Sequence, residues 1–537
     1  MPRFSLATGP RGVERIAAAT VHSSDKVNFM RTDERQSNSY RTPRAPGRVR
    51  RNCKAIRACL MLLMTIGGAM GFAGSPDAQV RLPELGDAAE ATLSPAGERA
   101  LGEAFMREVR ARLTLVDDPM VEQYVQSLGY RLAASSDRRD LAFTFFVVED
   151  DSLNAFAAPG GFIGLNSGMV LATQSESEFA SVLAHEIAHV TQRHIVRAID
   201  HASRSNLPVL AGILAAIIVG AHDVEAGQAA AAAVIGTTAQ SQINFTRQNE
   251  MEADRVGIRI LADAGFDPRA MAGVFETLQD AARYSPRPPE YLSTHPVTTN
   301  RIAEARDRAE RLPYRQHESS ERYYLVRAKL RVRTADDAQR VLDRLVEEHA
   351  SGHAQSAAAN SYGQAIAMIR LGREDDARGI LEHLVETFPD NLTFLDELAG
   401  NMLRSGNLPR ALDLYSEGLA LYPNDRILVR GHAAALNEAG RMADTLKLID
   451  EYGRLNAIDS EMYRLRADAY QRLGRMSESR ADLAEYYYLS GRLDQAIDQL
   501  RLASQDLAQN QDFYAIARIE ARLEELETER RVRLTRR

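Results

Sequence analysis

The chain has 537 residues, too many for one ordinary hydrophobic core, and its 45% hydrophobic and 26% charged composition excludes a largely disordered protein. No run of about twenty uninterrupted apolar residues occurs, which excludes a polytopic helical membrane protein. The formal charge of −7 conceals thirteen Lys/Arg against four Asp/Glu in residues 1–57, so the body that follows is strongly acidic and nucleic acid is not expected as a partner.

The basic stretch runs into Arg57, an apolar run follows from Leu60 to Phe72, and small and turn-forming residues come next at Ala73-Gly74-Ser75-Pro76. That order predicts a secretory signal within residues 1–78, cleaved near Ala73 or Ala78. The run of about 13 residues is too short to span a bilayer and is broken by Gly67-Gly68, which favours cleavage over anchoring. The basic leader is unusually long, so translation is expected to start later, at Met30 or beyond. Cys53 and Cys59 precede or open the apolar run, so the mature chain has no disulfide framework and no lipoprotein cysteine. A bacterial periplasmic location is expected.

Residues 79–315 are read as one domain. Pro95–Leu113 and Pro119–Ala134 are predicted helices, and Ala142–Glu149 (AFTFFVVE) is a predicted strand. Asn154–Met169 reads as two extended runs broken at Pro159–Gly161 and Asn166–Gly168, a hairpin with an irregular edge. The run after Gly161 is expected to offer an unpaired edge to an extended substrate. A helix is predicted over Glu176–Ile199, an apolar buried or interfacial helix over Leu207–Ala221, and an Ala-rich helix over Ala226–Ile258. Peripheral membrane contact by the second of these is the minor reading.

The helix Glu176–Ile199 contains His185-Glu186-Ile187-Ala188-His189. Two imidazoles four apart on a helix lie on one face and can reach one tetrahedral metal, while the adjoining Glu186 can hold the attacking water. So short a pattern also arises by accident in a long chain. Here Phe179, Val182, Leu183, Ile187 and Val190 give the helix a buried side, which sets the pair in a cleft. A third ligand is available from Glu250-Met251-Glu252-Ala253-Asp254. Glu250 and Asp254 are four apart on one face, so one can bind metal while the other bonds a ligand imidazole; Glu252 points elsewhere.

Arg193 and His194 extend the metal helix, but His194 stands about 140° from the face of His189, and both are read as structural or supporting. His295, before Pro296 and after the proline-rich stretch 286–289, is either a solvent-facing loop histidine or a group that occupies the metal's open position or binds an oxyanion. Arg301 adds a positive charge near the same cleft.

Residues 316–530 are helical in period. Gly372, Gly406, Gly440 and Gly474 recur every 34 residues, as do Ala365, Ala399, Ala433 and Ala467, while Pro389 and Pro423 share the step. That period is the tetratricopeptide one: a small residue lets two helices approach, glycine turns the chain, and proline separates repeats. Helices at about 320–348 and 480–527, with a half-step at Gly491-Arg492, are expected to close the ends. The concave face of such a stack binds extended segments or partner proteins.

HEIAHVTQRH (His185–His194), NEMEADRVG (Asn249–Gly257) and NAFAAPGGFIGLNSGM (Asn154–Met169) together resemble the gluzincin metallopeptidase family that contains the CAAX prenyl endopeptidases and the heat-shock protease HtpX. The resemblance covers about residues 85–530. It implies one zinc ion on His185, His189 and Glu250, with Glu186 catalytic and Asp254 supporting a ligand. With the repeats attached, the chain resembles the periplasmic branch of that family. That implies degradation of misfolded or misassembled outer-membrane proteins and chaperone-like support of the outer-membrane assembly machinery through the repeats. The transmembrane helices of the prenyl endopeptidases have no counterpart, which argues against lipid processing. The chain is therefore read as an α+β zincin-type zinc metalloendopeptidase followed by an all-α tetratricopeptide solenoid. The competing reading is a repeat-based chaperone or scaffold whose peptidase centre is mostly latent.

Overall fold

The computed structural model describes residues 93–203, 239–284, 289–510 and 513–535. The expected signal with Ala73 and Ala78, the run Leu207–Ala221, and Pro286 and Pro288 lie outside the described residues. Among the described residues no helix is long and apolar enough to cross a membrane. The fold is mostly helical, a protease domain followed by helical repeats.

The first two helices, Pro95–Arg112 and Pro119–Ala133, each begin on a proline behind an oxygen-bearing cap. Ser94 Oγ accepts from Gly97 N at 3.2 Å, and Asp118 accepts from Met120 N and Val121 N at 3.0 and 3.1 Å. Three strands follow: β1 (Thr144–Val148), β2 (Ala155–Ala158) and β3 (Phe162–Asn166). Their order is β1-β3-β2, with β3 parallel to β1 and antiparallel to β2. The turn Pro159–Gly161 between β2 and β3 needs its glycines: both have positive φ, and a Cβ on Gly161 would stand 2.2 Å from the Ala142 carbonyl oxygen.

This topology corrects one expectation. The strand after Gly161 is the central strand, paired on both sides and buried throughout, because β1 docks on its second edge. The edge strands are β1 and β2, and β2 packs beside the metal helix.

That helix, Glu176–Thr191, starts where Ser175 Oγ accepts from Glu178 N at 3.2 Å and the Glu178 carboxylate accepts from Gln174 N at 2.6 Å. It does not run unbroken to Ile199 as expected. The chain turns through Gln192-Arg193, and a separate helix begins at His194. Arg193 has φ 53°, the only positive φ of a non-glycine among the described residues. Left-handed backbone costs about 1–2 kcal/mol, offset here because Arg193 Nη2 donates to Leu93 O at 2.9 Å and to Glu98 at 3.2 Å.

The helix Ala239–Asp263 packs along the metal helix, and Gly257 lies against it. A Cβ at Gly257 would lie 3.2 Å from His185 N and 3.3 Å from Ala184 C.

From Glu321 onward the chain forms helical hairpins, beginning with Glu321–Arg333 and Ala338–Ala350 and ending with Leu493–Asn510 and Phe513–Thr535. Within four of them the turn is a glycine at φ 71–81°: Gly372, Gly406, Gly440 and Gly474. The residue after each glycine donates back five positions, as from Arg373 N to Met368 O at 2.9 Å, a helix-terminating pattern that only a residue free to adopt positive φ closes without strain. Ala365, Ala399, Ala433 and Ala467 sit buried at the helix contacts.

The hydrophobic core is continuous from Val116 through the protease domain into the repeats as far as Ala435. Ion pairs reinforce it. Lys329 Nζ lies 2.8 Å from Asp118, Arg426 Nη1 lies 2.7 Å from Glu122, and Arg430 Nη1 lies 2.9 Å from Asp117. Burial works against the charge on Lys329, but Tyr362, Asp118 and Glu397 outweigh it and hold the ammonium well above its usual range. At the far end Arg107 pairs with Glu529 at 2.9 Å, and Gly491 is pressed against Ala111. Part of the repeat surface that the 34-residue period offers to partners is thus occupied by the protease domain itself.

Candidate metal centre

His185 and His189 project from one face of the metal helix, with their Nε2 atoms 3.0 Å apart. Glu250 approaches from the helix Ala239–Asp263, its carboxylate 3.4 Å from each of those nitrogens. His295 follows the short helix Glu290–Thr294, and its Nδ1 stands 3.0 Å from Glu250 Oε1 and 3.4 Å from His185 Nε2. One donor atom from each of these four residues lies within 4.8 Å of all the others. Three imidazole nitrogens and a carboxylate oxygen converging on one buried point form the donor set that suits a tetrahedral divalent metal.

The carboxylates are themselves held. Arg301 grips Asp254 with Nε and Nη2, each at 2.7 Å, and its Nη1 lies 2.9 Å from Glu250. Asp254 Oδ1 is 3.1 Å from His185 Nδ1, within ion-pairing range although the N–H is not aligned for a hydrogen bond. Burial pushes the Glu250 carboxyl up, but His295, His189 and His185 outweigh it and hold the group well below the usual carboxylate range. Asp254 is likewise lowered despite burial, by His185 and Arg301. Burial depresses His189 to about 3, whereas Asp254 and Glu250 overcome the burial of His185 and raise it to about 9. Two anionic carboxylates beside buried imidazoles make a site that attracts a cation.

Glu186 is fully buried, and neither of its carboxylate oxygens has a hydrogen-bond partner. The His295 ring is close by, its Nε2 3.7 Å from Glu186 Oε1. A buried carboxylate without partners is costly, and such strain concentrates where a reacting group is to be received.

His295 is not a solvent-facing loop residue: it is 8% exposed. Tyr291, buried one helical turn earlier, stacks on its ring at 4.6 Å between centroids, and Tyr291 N donates to Leu153 O at 3.0 Å. On the other side Arg301 Nη1 donates to Pro296 O at 2.9 Å. Tyr291 was missed in the sequence; its position four residues before His295 is the one signal there for it.

His194 supports His189, though from a separate helix and not from a continuation of the metal helix. The break at Arg193 re-aims its ring, so that His194 Nδ1 lies 3.0 Å from His189 Nδ1 and its Nε2 lies 3.2 Å from Glu252. Arg197 Nη1 holds the same carboxylate at 2.8 Å. Burial lowers His194 to about 4, so it is neutral near pH 7. Glu252 only accepts, which places the single ring proton of His194 on Nε2. Its Nδ1 therefore accepts from His189 Nδ1–H and leaves the His189 Nε2 lone pair facing the cluster. Glu252, correctly left out of the cluster itself, acts through this relay.

The chain is similar to known proteins. The signature of Peptidase family M48 matches residues 119–309. The Beta-barrel assembly-enhancing protease of Escherichia coli (strain K12) is 36% identical over 474 residues, covering 88% of this chain and 96% of that protein. The protein of the same name from Yersinia pestis is 34% identical over 445 residues, covering 83% and 92%. The Mitochondrial metalloendopeptidase OMA1 of Schizosaccharomyces pombe is 28% identical over 185 residues, covering 33% of this chain and 50% of that protein.

Proposed function

The chain belongs to peptidase family M48 and is a metalloendopeptidase, and from that premise we propose that it is a periplasmic zinc enzyme of α+β zincin type. Its substrates are misfolded or misassembled outer-membrane proteins, and its tetratricopeptide repeats give chaperone-like support to the outer-membrane assembly machinery. The observation that carries this reading is the convergence of His185, His189, Glu250 and His295 beside the unpartnered carboxylate of Glu186. The similarity to Beta-barrel assembly-enhancing proteases supports β-barrel proteins as the substrate class.

In this reading His185, His189 and Glu250 hold the zinc, Asp254 and Arg301 fix the ligand geometry, and the His194–Glu252 pair orients His189. Zinc, when bound, supplies Lewis acidity to the scissile carbonyl and to the attacking water. Glu186 removes a proton from that water and returns it to the leaving amide nitrogen. An extended substrate adds a strand to the outer side of β2, so its backbone hydrogen bonds provide affinity and side-chain preference stays loose. Folded proteins have no free backbone to offer there. His295, with its nitrogen among the ligand atoms, takes the fourth position and restrains the enzyme until the segment around residues 289–296 moves. That placement also favours the scaffold reading for the resting state; an intact general base argues against a permanently silent centre.

The direct test uses an unfolded outer-membrane β-barrel protein. Cleavage should stop on chelation and return with one equivalent of zinc, while the folded barrel resists. Cleavage that persists without metal would refute the reading. The orienting role of His194 has its own measurement. His194→Ala should weaken zinc affinity by about 10–100-fold in chelator competition, and His194→Asn should recover part of it. Equal affinity in all three proteins would show that the relay is idle.

A further inference from the structure

A cleft of about 500 Å³ opens at the seam between the protease domain and the first repeats, away from the metal cluster. Its protease-domain wall is Leu171 and Gln174, just before the Ser175 cap of the metal helix; its other walls come from the helices Glu321–Arg333, Ala338–Ala350 and Ala357–Arg370 and the turn before the last.

Its charge is unbalanced. Arg327, Arg331 and Arg344 line it, with Glu348 as the one acidic residue. Arg331 takes both oxygens of Glu348, at 2.7 and 2.9 Å. Arg327 spends its terminal nitrogens on neutral acceptors, Leu171 O at 3.0 Å and Gln355 Oε1 at 3.2 Å. Arg344 is exposed and has no ion pair or hydrogen bond among the described residues. Arg331, with Arg344 and Arg327 nearby, holds the Glu348 carboxyl below its usual range. Two guanidiniums therefore remain without a carboxylate. Beside them the lining is mixed: Leu171, Ala328, Leu345 and Ala359 are apolar, and Gln355 and Asn360 are polar.

We propose that this cleft binds the free C-terminal end of a polypeptide substrate, its carboxylate on Arg344 and Arg327 and its last side chains on the apolar lining. Guanidinium forks match a carboxylate in shape and charge. A bare phosphate would satisfy the charge but leave the apolar wall uncovered, whereas a few terminal residues fill a cleft of this volume. The proposal rests on the peptidase reading, because unfolded protein substrates present such ends and each cleavage creates another. A chain held here lies against the loop that leads into the metal helix.

The experiment uses the full chain carrying Glu186→Gln, so that peptides survive, and fluorescence anisotropy with a labelled unstructured decapeptide ending in an apolar residue. The free-acid peptide should bind about tenfold or more tighter than its C-terminal amide, and the difference should shrink at high salt. Arg344→Glu should erase the preference, and Arg327→Ala should weaken it. Equal binding of acid and amide, or an intact preference in Arg344→Glu, would overturn the assignment, as would displacement of the peptide by micromolar inorganic phosphate. A zinc-loaded wild type that cleaves nothing while keeping the preference for free ends would strike the peptidase reading alone.

Discussion

Glu186→Gln should lower kcat/KM on an unfolded protein by about 10²–10⁴-fold while leaving zinc content at one per chain. The substitution preserves shape and removes only the ability to take and return a proton. Because neither oxygen of Glu186 has a hydrogen-bond partner, the amide breaks no existing hydrogen bond, so the melting temperature should not fall and a loss of activity cannot be assigned to misfolding. Glu250→Ala should behave in the opposite way. It removes the carboxylate that three imidazoles and Arg301 surround, and elemental analysis should find the protein without zinc. Stoichiometric zinc in Glu250→Ala would refute the ligand assignment; near-normal turnover in Glu186→Gln would refute the general base.

His295→Ala should raise basal cleavage of unfolded substrates several-fold and cause self-cleavage, both abolished by adding Glu186→Gln. The reason is geometric: His295 Nδ1 lies among the ligand atoms, 3.0 Å from Glu250 Oε1, while its Nε2 faces Glu186. A group there competes with the water that Glu186 must activate. A fall in kcat of tens-fold with zinc retained would instead give His295 the oxyanion role, and unchanged activity would make it a bystander. Tyr291 and the Arg301–Pro296 bond hold His295 from both sides, so the gate opens only if this packed segment shifts as a unit.

The parts of the site that were legible in the sequence are those set by local periodicity. His185 and His189, or Glu250 and Asp254, share a face because residues four apart on any helix do. The repeat hairpins were legible for the same reason, since the 34-residue step places each glycine where a helix must end in a left-handed turn. The edge strand was misread because pairing partners are not local: an unpaired β3 and a β3 flanked by β1 and β2 have the same sequence. The orientation of His194 was misread because one strained backbone angle at Arg193, stabilised by contacts with Leu93 and Glu98 about a hundred residues away, ends the helix where local propensity would continue it.

The sequence by itself determined which metal-binding residue types stand at helical spacing and that a stack of helical hairpins follows. Tertiary structure alone decided which of those groups meet. Gly257 brings the carboxylate helix against His185, the short helix after Pro289 delivers His295 to the cluster, and Asp117, Asp118 and Glu122, at the start of the helix Pro119–Ala133, draw Arg430, Lys329 and Arg426 of the repeats onto the protease domain. Spacing along one helix fixes which side chains share a face, but contacts between segments remote in sequence depend on burial and charge pairing, which exist only once the chain has folded.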